Sequence, residues 1–201
     1  VAQAKALLVR SVTQVNPALL ADTSLEYVGS ATIGTDHLDI EAIEKRNIQW
    51  ANAAGCNAQA VAEYVIMALL HLKPELMDAN AHFTLGIVGL GNVGSRLAFM
   101  AGLLGWKVIG HDPFVQQDAI HQVDLETLLN TADAISLHVP LTQTGPHPTY
   151  HLINAEALAA MKPAALLVNS ARGPVIEEQA LLAKAADKAN KIKERTIRKS
   201  L

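Results

Sequence analysis

Residues 84 to 94 read Thr84-Leu85-Gly86-Ile87-Val88-Gly89-Leu90-Gly91-Asn92-Val93-Gly94, a short apolar strand that runs through three spaced glycines into the start of a helix. Each glycine of this Gly-x-Gly-x-x-Gly pattern has its own task. Gly89 permits the tight turn out of the strand, Gly91 lets the backbone approach a pyrophosphate, and Gly94 lets the helix pack against the sheet. Asn92 and Val93 lie between the second and third glycines, where the helix starts, and join the glycines as candidate cofactor-binding residues. The unpaired N–H groups and positive dipole end of the helix favour an anion, so the turn needs bare backbone more than any side chain. Three glycines alone also fit an ordinary turn, and the flanking residues separate the two readings. A helix over 93–104 puts Leu97, Met100, Ala101 and Leu104 on one face, and a second strand follows over 106–110. Asp112 then stands about twenty residues after Gly91, where dinucleotide-binding folds place the carboxylate for the adenosine ribose hydroxyls.

The 201 residues, 50% hydrophobic and 17% charged with a net charge of −3, have the composition of a folded globular protein. No basic, aromatic-studded stretch precedes the last few residues, which argues against nucleic acid as a partner. The longest nearly uncharged run, Tyr64 to Leu72, is too short for a membrane span. The single cysteine, Cys56, excludes an internal disulfide and suits a reducing, cytoplasmic setting. No Cys/His cluster has zinc-ligand spacing, so no metal is expected.

Strands and helices alternate along the rest of the chain. Residues 6–9 form a short apolar run, and Asn16-Pro17 opens a short helix with proline in its first turn. Residues 25–28 read as a strand, 29–36 as a small-residue loop, 39–46 as a helix and 48–51 as a third strand. The loop 52–57 leads into a long apolar helix through about Leu72, which Pro74 closes. Beyond Asp112, residues 118–123 read as a loop with a brief strand, and 124–129 as a short helix with an acidic cap. A strand over 134–139, a polar loop with three prolines over 140–151 and a helix over 154–161 follow. The last strand, 164–169, reads as buried and delivers Ser170-Ala171-Arg172-Gly173. Short strands alternating with helices imply a parallel sheet. The expected fold is α/β: a Rossmann-type doubly wound parallel sheet over 77–201 and a second, partial α/β lobe over 1–76. Ligands of such sheets lie at the carboxyl ends of strands, which places Ser11, Thr32 and the loop 55–57 on the rim. From about 185 a basic stretch reads as a solvated helix or tail.

Several stretches together resemble the D-isomer-specific 2-hydroxyacid dehydrogenase family, and they involve nearly the whole chain. They are Val9-Arg10-Ser11-Val12-Thr13, Ala31-Thr32-Ile33-Gly34-Thr35-Asp36-His37, Gly55-Cys56-Asn57-Ala58 with Val61-Ala62-Glu63-Tyr64, His138-Val139-Pro140, Gly145-Pro146-His147-Pro148-Thr149-Tyr150-His151-Leu152 and Arg172-Gly173. The resemblance implies a flavodoxin-like lobe that grips the substrate and a Rossmann lobe that grips NAD. By it, Ser11 and Thr32 match substrate-contacting hydroxyls, Asp112 the ribose-binding carboxylate and Val139 the position beside the nicotinamide. Ser170 and Ala171 match the backbone next to the cofactor, and Arg172 matches the catalytic arginine. The implied reaction is NAD-dependent oxidation of a small-molecule substrate, 4-phosphoerythronate, in pyridoxal 5′-phosphate biosynthesis by a cytoplasmic homodimer. A dehydrogenase of glycerate or phosphoglycerate is the alternative within the same class.

Arginine suits that role physically, because a guanidinium fork bonds two oxygens at once and holds a carboxylate in register with the nicotinamide. Arg172 also fits an exposed helix-flanking residue, but its place at a strand end favours the site. Asp112 repels a 2′-phosphate and residues 113–117 supply no arginine to neutralise one, so NAD is expected over NADP. Members of the resembled family carry a glutamate and an acid/base histidine downstream of the arginine. None of the eight histidines here sits in a matching context: His138 lies on the nicotinamide side of the rim, and His37, His147 and His151 read as polar loop residues. The chain, which begins without methionine, is therefore expected to be a piece of a longer enzyme, incomplete at both ends. The competing expectation is a non-catalytic NAD-binding remnant, which binds cofactor without turnover because no base reaches the hydroxyl.

Overall fold

A computed structural model describes residues 2–78 and 82–187 and divides the chain into two compact units, Val1–Ala58 and Gln59–Leu201. The basic stretch expected from about 185 lies, beyond residue 187, outside the described residues.

The first unit runs β1 (Ala6–Val9), α1 (Pro17–Leu20), β2 (Tyr27–Ser30), α2 (Ile40–Lys45) and β3 (Gln49–Asn52). Its three strands are parallel in the order β1-β2-β3. Short polar caps start both helices: Asn16 Oδ1 accepts from the Leu19 N–H at 3.0 Å and Asp39 Oδ1 from the Ala42 N–H at 2.9 Å. Each cap satisfies a backbone donor the helix leaves unpaired and contributes about 1 kcal/mol. Val9, Val15, Leu20, Val28, Leu38 and Ile43 are buried as one core. The second strand begins two residues later than the expected 25–28. Leu25 turns into the core and Glu26 pairs with Lys5, so the ladder starts at Ala6 opposite Tyr27.

The second unit contains α3 (Ala58–Leu72, of which Ala58 is the last residue of the first unit), β4 (Thr84–Val88), α4 (Asn92–Leu103), β5 (Lys107–His111) and β6 (His121–Gln122). It continues through α5 (Leu125–Thr131), β7 (Ala134–Leu137), α6 (Ala155–Ala160) and β8 (Leu166–Asn169), with residues 178–187 helical at its end. Among the described residues its five strands are all parallel in the order β6-β5-β4-β7-β8. The chain winds outward from β4 in one direction and then restarts at β7 in the other, which makes β4/β7 the point where strand order reverses. One core packs α3 and α4 against the sheet through Val65, Leu69, Leu85, Ile87 and Leu97; another packs α5 and α6 through Leu128, Ile135, Leu137 and Leu158.

The unit boundary falls at 58/59, whereas the sequence suggested 76/77, because Ala62, Val65, Ile66 and Leu69 of α3 join the core of the second unit. The buried face of α4 is Gly94, Leu97, Ala98 and Ala101; Leu104, expected on that face, caps the helix and is 44% exposed. Gly105 turns the chain at φ +78° directly after it. β8 is half-buried along its length and not fully buried as expected, since among the described residues it pairs with β7 alone and stands at the edge of the sheet.

Candidate functional site

The carboxyl ends of β4 and β7 frame the glycine turn. Gly89 has φ +93°, and a Cβ there would stand 2.8 Å from the His138 carbonyl group. At Gly94 a Cβ would lie 1.9 Å from the Gly89 carbonyl oxygen, so strand and helix meet backbone to backbone. Gly91 differs: a Cβ would meet nothing within 4 Å. The fold itself therefore does not require glycine at position 91, and the open space leaves the backbone accessible to a ligand. Gly91 is also the N-cap of α4 and offers no side chain to its N–H groups, whereas α1, α2, α5 and α6 are each capped by an Asn or Asp side chain. Bare donors, a positive dipole end and unobstructed space suit a pyrophosphate.

Asp112 follows β5 and is half-buried. Its Oδ2 accepts from the Leu90 N–H at 2.8 Å, while Oδ1 accepts from the N–H groups of Phe114 and Val115 at 2.9 and 3.1 Å. The carboxylate thus fixes the glycine turn against the loop after β5, a structural duty the sequence did not disclose, and its oxygens keep further acceptor capacity. Gln117 adds a second tie through Nε2, which donates to the Leu90 carbonyl at 2.9 Å. A cavity of about 560 Å³ opens here, lined in part by Gly89, Gly91, Asp112, Phe114 and Val139. Its size suits a bound small molecule or cofactor moiety.

Its far wall is the loop after β7, which two threonines clasp. The Thr142 N–H donates to Thr149 Oγ1 at 2.8 Å and the Thr149 N–H to Thr142 Oγ1 at 3.1 Å. His147, at the loop tip, meets the Phe114 ring edge-on with centroids 5.4 Å apart. His138 lies deeper. Its Nε2 is 2.8 Å from Ser136 Oγ and its Nδ1 3.1 Å from Ser170 Oγ, so the imidazole ties the end of β7 to the end of β8. Burial pushes its pKa down to about 4, so it is neutral near pH 7.

Ser170, Ala171 and Arg172 emerge from β8, and Asn169 shapes their turn. Its Oδ1 accepts from the Ala171 N–H at 3.0 Å and its Nδ2 donates to the Arg172 carbonyl at 2.8 Å. Arg172 Nη1 donates to the Ala171 carbonyl at 3.0 Å. Asn169 was missed because an asparagine at a strand end gives no signal until its side chain is seen to fold back on the next turn.

Within the first unit, Ser11 follows β1 and is exposed, and Thr32 follows β2 and is half-buried. Both stand at the carboxyl edge of adjacent parallel strands. His37 lies in a turn, as a loop residue would, and is buried there: it is 2% exposed, with Nε2 3.0 Å from Ser30 Oγ. The turn 34–37 folds inward, and the Val15 N–H donates to the His37 carbonyl. His151 is half-buried and stacks on Tyr150 at 3.9 Å, while His147 is exposed. Among the described residues no helix is long and apolar enough to cross a membrane, and no cluster of three metal-ligating side chains occurs.

Residues 70–193 match the family model described as D-isomer specific 2-hydroxyacid dehydrogenase, NAD binding domain. The chain belongs to the D-isomer specific 2-hydroxyacid dehydrogenases, and NAD is its cofactor. It is 66% identical over 182 residues to an erythronate-4-phosphate dehydrogenase of Acinetobacter baumannii, covering 90% of this chain and 51% of the relative. A protein of the same description from Psychrobacter cryohalolentis is 48% identical, with 89% of this chain and 51% of the relative covered. The chain thus spans about half the length of the curated relatives it matches. Among solved structures, the NAD+-bound 3-phosphoglycerate dehydrogenase of Entamoeba histolytica superposes with a TM-score of 0.78 at 28% identity, covering 92% of this chain and 62% of that one.

Proposed function

We propose that the protein to which this chain belongs oxidises 4-phosphoerythronate to the 2-oxo acid with NAD, as a step of pyridoxal 5′-phosphate biosynthesis in the cytoplasm. The observation that carries this reading is the 66% identity to an erythronate-4-phosphate dehydrogenase across 90% of the chain, against 28% for the phosphoglycerate enzyme. The site geometry supports it. The first unit, Val1–Ala58, serves as the substrate lobe and the Rossmann residues hold the cofactor: Gly89, Gly91, Asn92, Val93 and Gly94 at the pyrophosphate, Asp112 at the ribose, Val139, Ser170 and Ala171 near the nicotinamide.

When bound, NAD supplies the hydride acceptor. Arg172 holds the substrate carboxylate by a charge-assisted fork, and Ser11 and Thr32, at the carboxyl edge of the first sheet, serve as substrate-contacting hydroxyls. His138 braces Ser170 and is not the base: a neutral imidazole engaged at both nitrogens has no free position at which to take the hydroxyl proton. That proton passes to the family's downstream histidine. The full-length enzyme is a homodimer, and the exposed apolar side chains of α3 and α4, Tyr64, Met67, Phe99 and Leu103, form a surface for a second copy to bury. The test is NADH formation by the full-length protein with 4-phosphoerythronate, 3-phosphoglycerate and glycerate in parallel. Preference for 4-phosphoerythronate is expected; preference for either three-carbon acid overturns the substrate assignment, and silence with all three favours a cofactor-binding remnant.

A further inference from the structure

The three side chains Ser30, Thr32 and His37 form a relay whose direction can be worked out by counting protons. Thr32 Oγ1 donates to the Gly34 carbonyl at 3.3 Å, and it has one proton to give. Its 2.9 Å bond with Ser30 Oγ must then be donated by Ser30. With its own proton so engaged, Ser30 can only accept across the 3.0 Å contact to His37, which places the imidazole proton on Nε2. Nδ1 is left bare, and it is the buried atom that has no hydrogen-bond partner among the described residues. The reverse relay would put an N–H at that position, and a buried N–H without an acceptor is the rarer and costlier orphan. Ser30 is 4% exposed and His37 2%, so water does not re-set the direction. The backbone holds Thr32 in place: the Ala53 N–H donates to its carbonyl at 3.3 Å and Asn52 Nδ2 donates to the Ile33 carbonyl at 2.6 Å.

We infer that His37 is a positioning residue that makes the Thr32 hydroxyl an acceptor toward the substrate, and that Thr32 therefore reads a substrate hydroxyl and not its phosphate or carboxylate. This rests on the reading of Thr32 as a substrate contact. With its proton committed to Gly34, Thr32 presents only a lone pair, which repels anionic oxygen and accepts from O–H. The hydroxyl under oxidation gives its proton to the base, so the hydroxyl at C3 of 4-phosphoerythronate is the donor left for Thr32. A three-carbon phosphorylated acid has its phosphate ester at that carbon and no hydroxyl to offer. The relay thereby selects for the four-carbon acid, since a site built around a substrate hydroxyl penalises an analogue that lacks it.

The test uses the full-length enzyme with three single variants and one double variant. His37→Phe keeps the ring volume without the donor, Ser30→Ala cuts the relay, and His37→Gln keeps an N–H near the position of Nε2. The first two should raise KM for 4-phosphoerythronate about tenfold while leaving KM for NAD within twofold, and the Gln variant should stay near wild type. The Ser30→Ala/His37→Phe double variant should be no worse than either single one, as expected for members of one chain. An unchanged substrate KM in His37→Phe, or equal damage by Gln and Phe, overturns the proposal. Imidazole ¹⁵N NMR reads the tautomer of His37 without any substrate: protonation on Nε2 is expected, and protonation on Nδ1 overturns the relay. If the tautomer is as expected and the wild type does not oxidise 4-phosphoerythronate, the substrate reading has failed and not the relay.

Discussion

Asp112 ties the glycine turn to the loop after β5 and is proposed to meet the ribose, and one substitution removes both. Replacing it with alanine removes three backbone contacts and, on the proposed role at the ribose, the charge that would repel a 2′-phosphate. Asp112→Ala should weaken NAD binding roughly tenfold or more and narrow the preference over NADP, as calorimetry with both cofactors would read. Equal affinity of the unmutated protein for the two would contradict the assignment. Arg172→Lys exchanges a fork for a point charge, so kcat/KM of the full-length enzyme should fall about a hundredfold with NAD affinity unchanged. Unaltered turnover would leave Arg172 outside the reaction. His138 makes a pH prediction. Its folded pKa of about 4 lies below the ordinary value of 6.5, so between these values the unfolded chain binds a proton that the folded one refuses. This term is fully present above pH 6.5 and is lost as pH falls toward 4, by about 3 kcal/mol. Denaturant unfolding across this range should show that slope in the wild type and a flatter one in His138→Gln; equal slopes would remove His138 as its source.

Among the elements, the strand-turn-helix from β4 to α4 was the most legible in sequence because its glycines report backbone needs directly. They are not equivalent. Gly94→Ala drives a methyl into the Gly89 carbonyl and should cost about 3 kcal/mol or more, whereas Gly91→Ala meets open space and should cost about 1 kcal/mol at the helix cap. Thermal unfolding should separate the two, and NAD titration should show Gly91→Ala weakened although folded. A Gly91→Ala variant that binds NAD normally would remove the pyrophosphate from this turn. What sequence withheld were features that depend on neighbours in space. The start of β2 followed its register against β1, and the half-burial of β8 followed its place at the sheet edge. Asn169, Gln117 and the Thr142–Thr149 clasp act through side-chain bonds that no local pattern announces.

At the scale of the molecule, alternation of short strands and helices was enough to give two α/β units, because parallel strands need crossover helices and those helices must cover the sheet. The limit between the units was less legible, since an apolar helix such as α3 carries no mark of which sheet it covers. Strand order places each set of residues within its own sheet: reversal at β4/β7 brings the glycine turn, His138 and the β8 end to one edge of the second sheet, and Ser11 and Thr32 lie at the carboxyl edge of the first. The central claim, that these edges serve NAD-dependent oxidation of a four-carbon phosphorylated 2-hydroxy acid, is tested most directly by kcat/KM of the full-length protein from NADH absorbance. A value for 4-phosphoerythronate about a hundredfold above that for 3-phosphoglycerate is predicted, and equal or reversed values would contradict it.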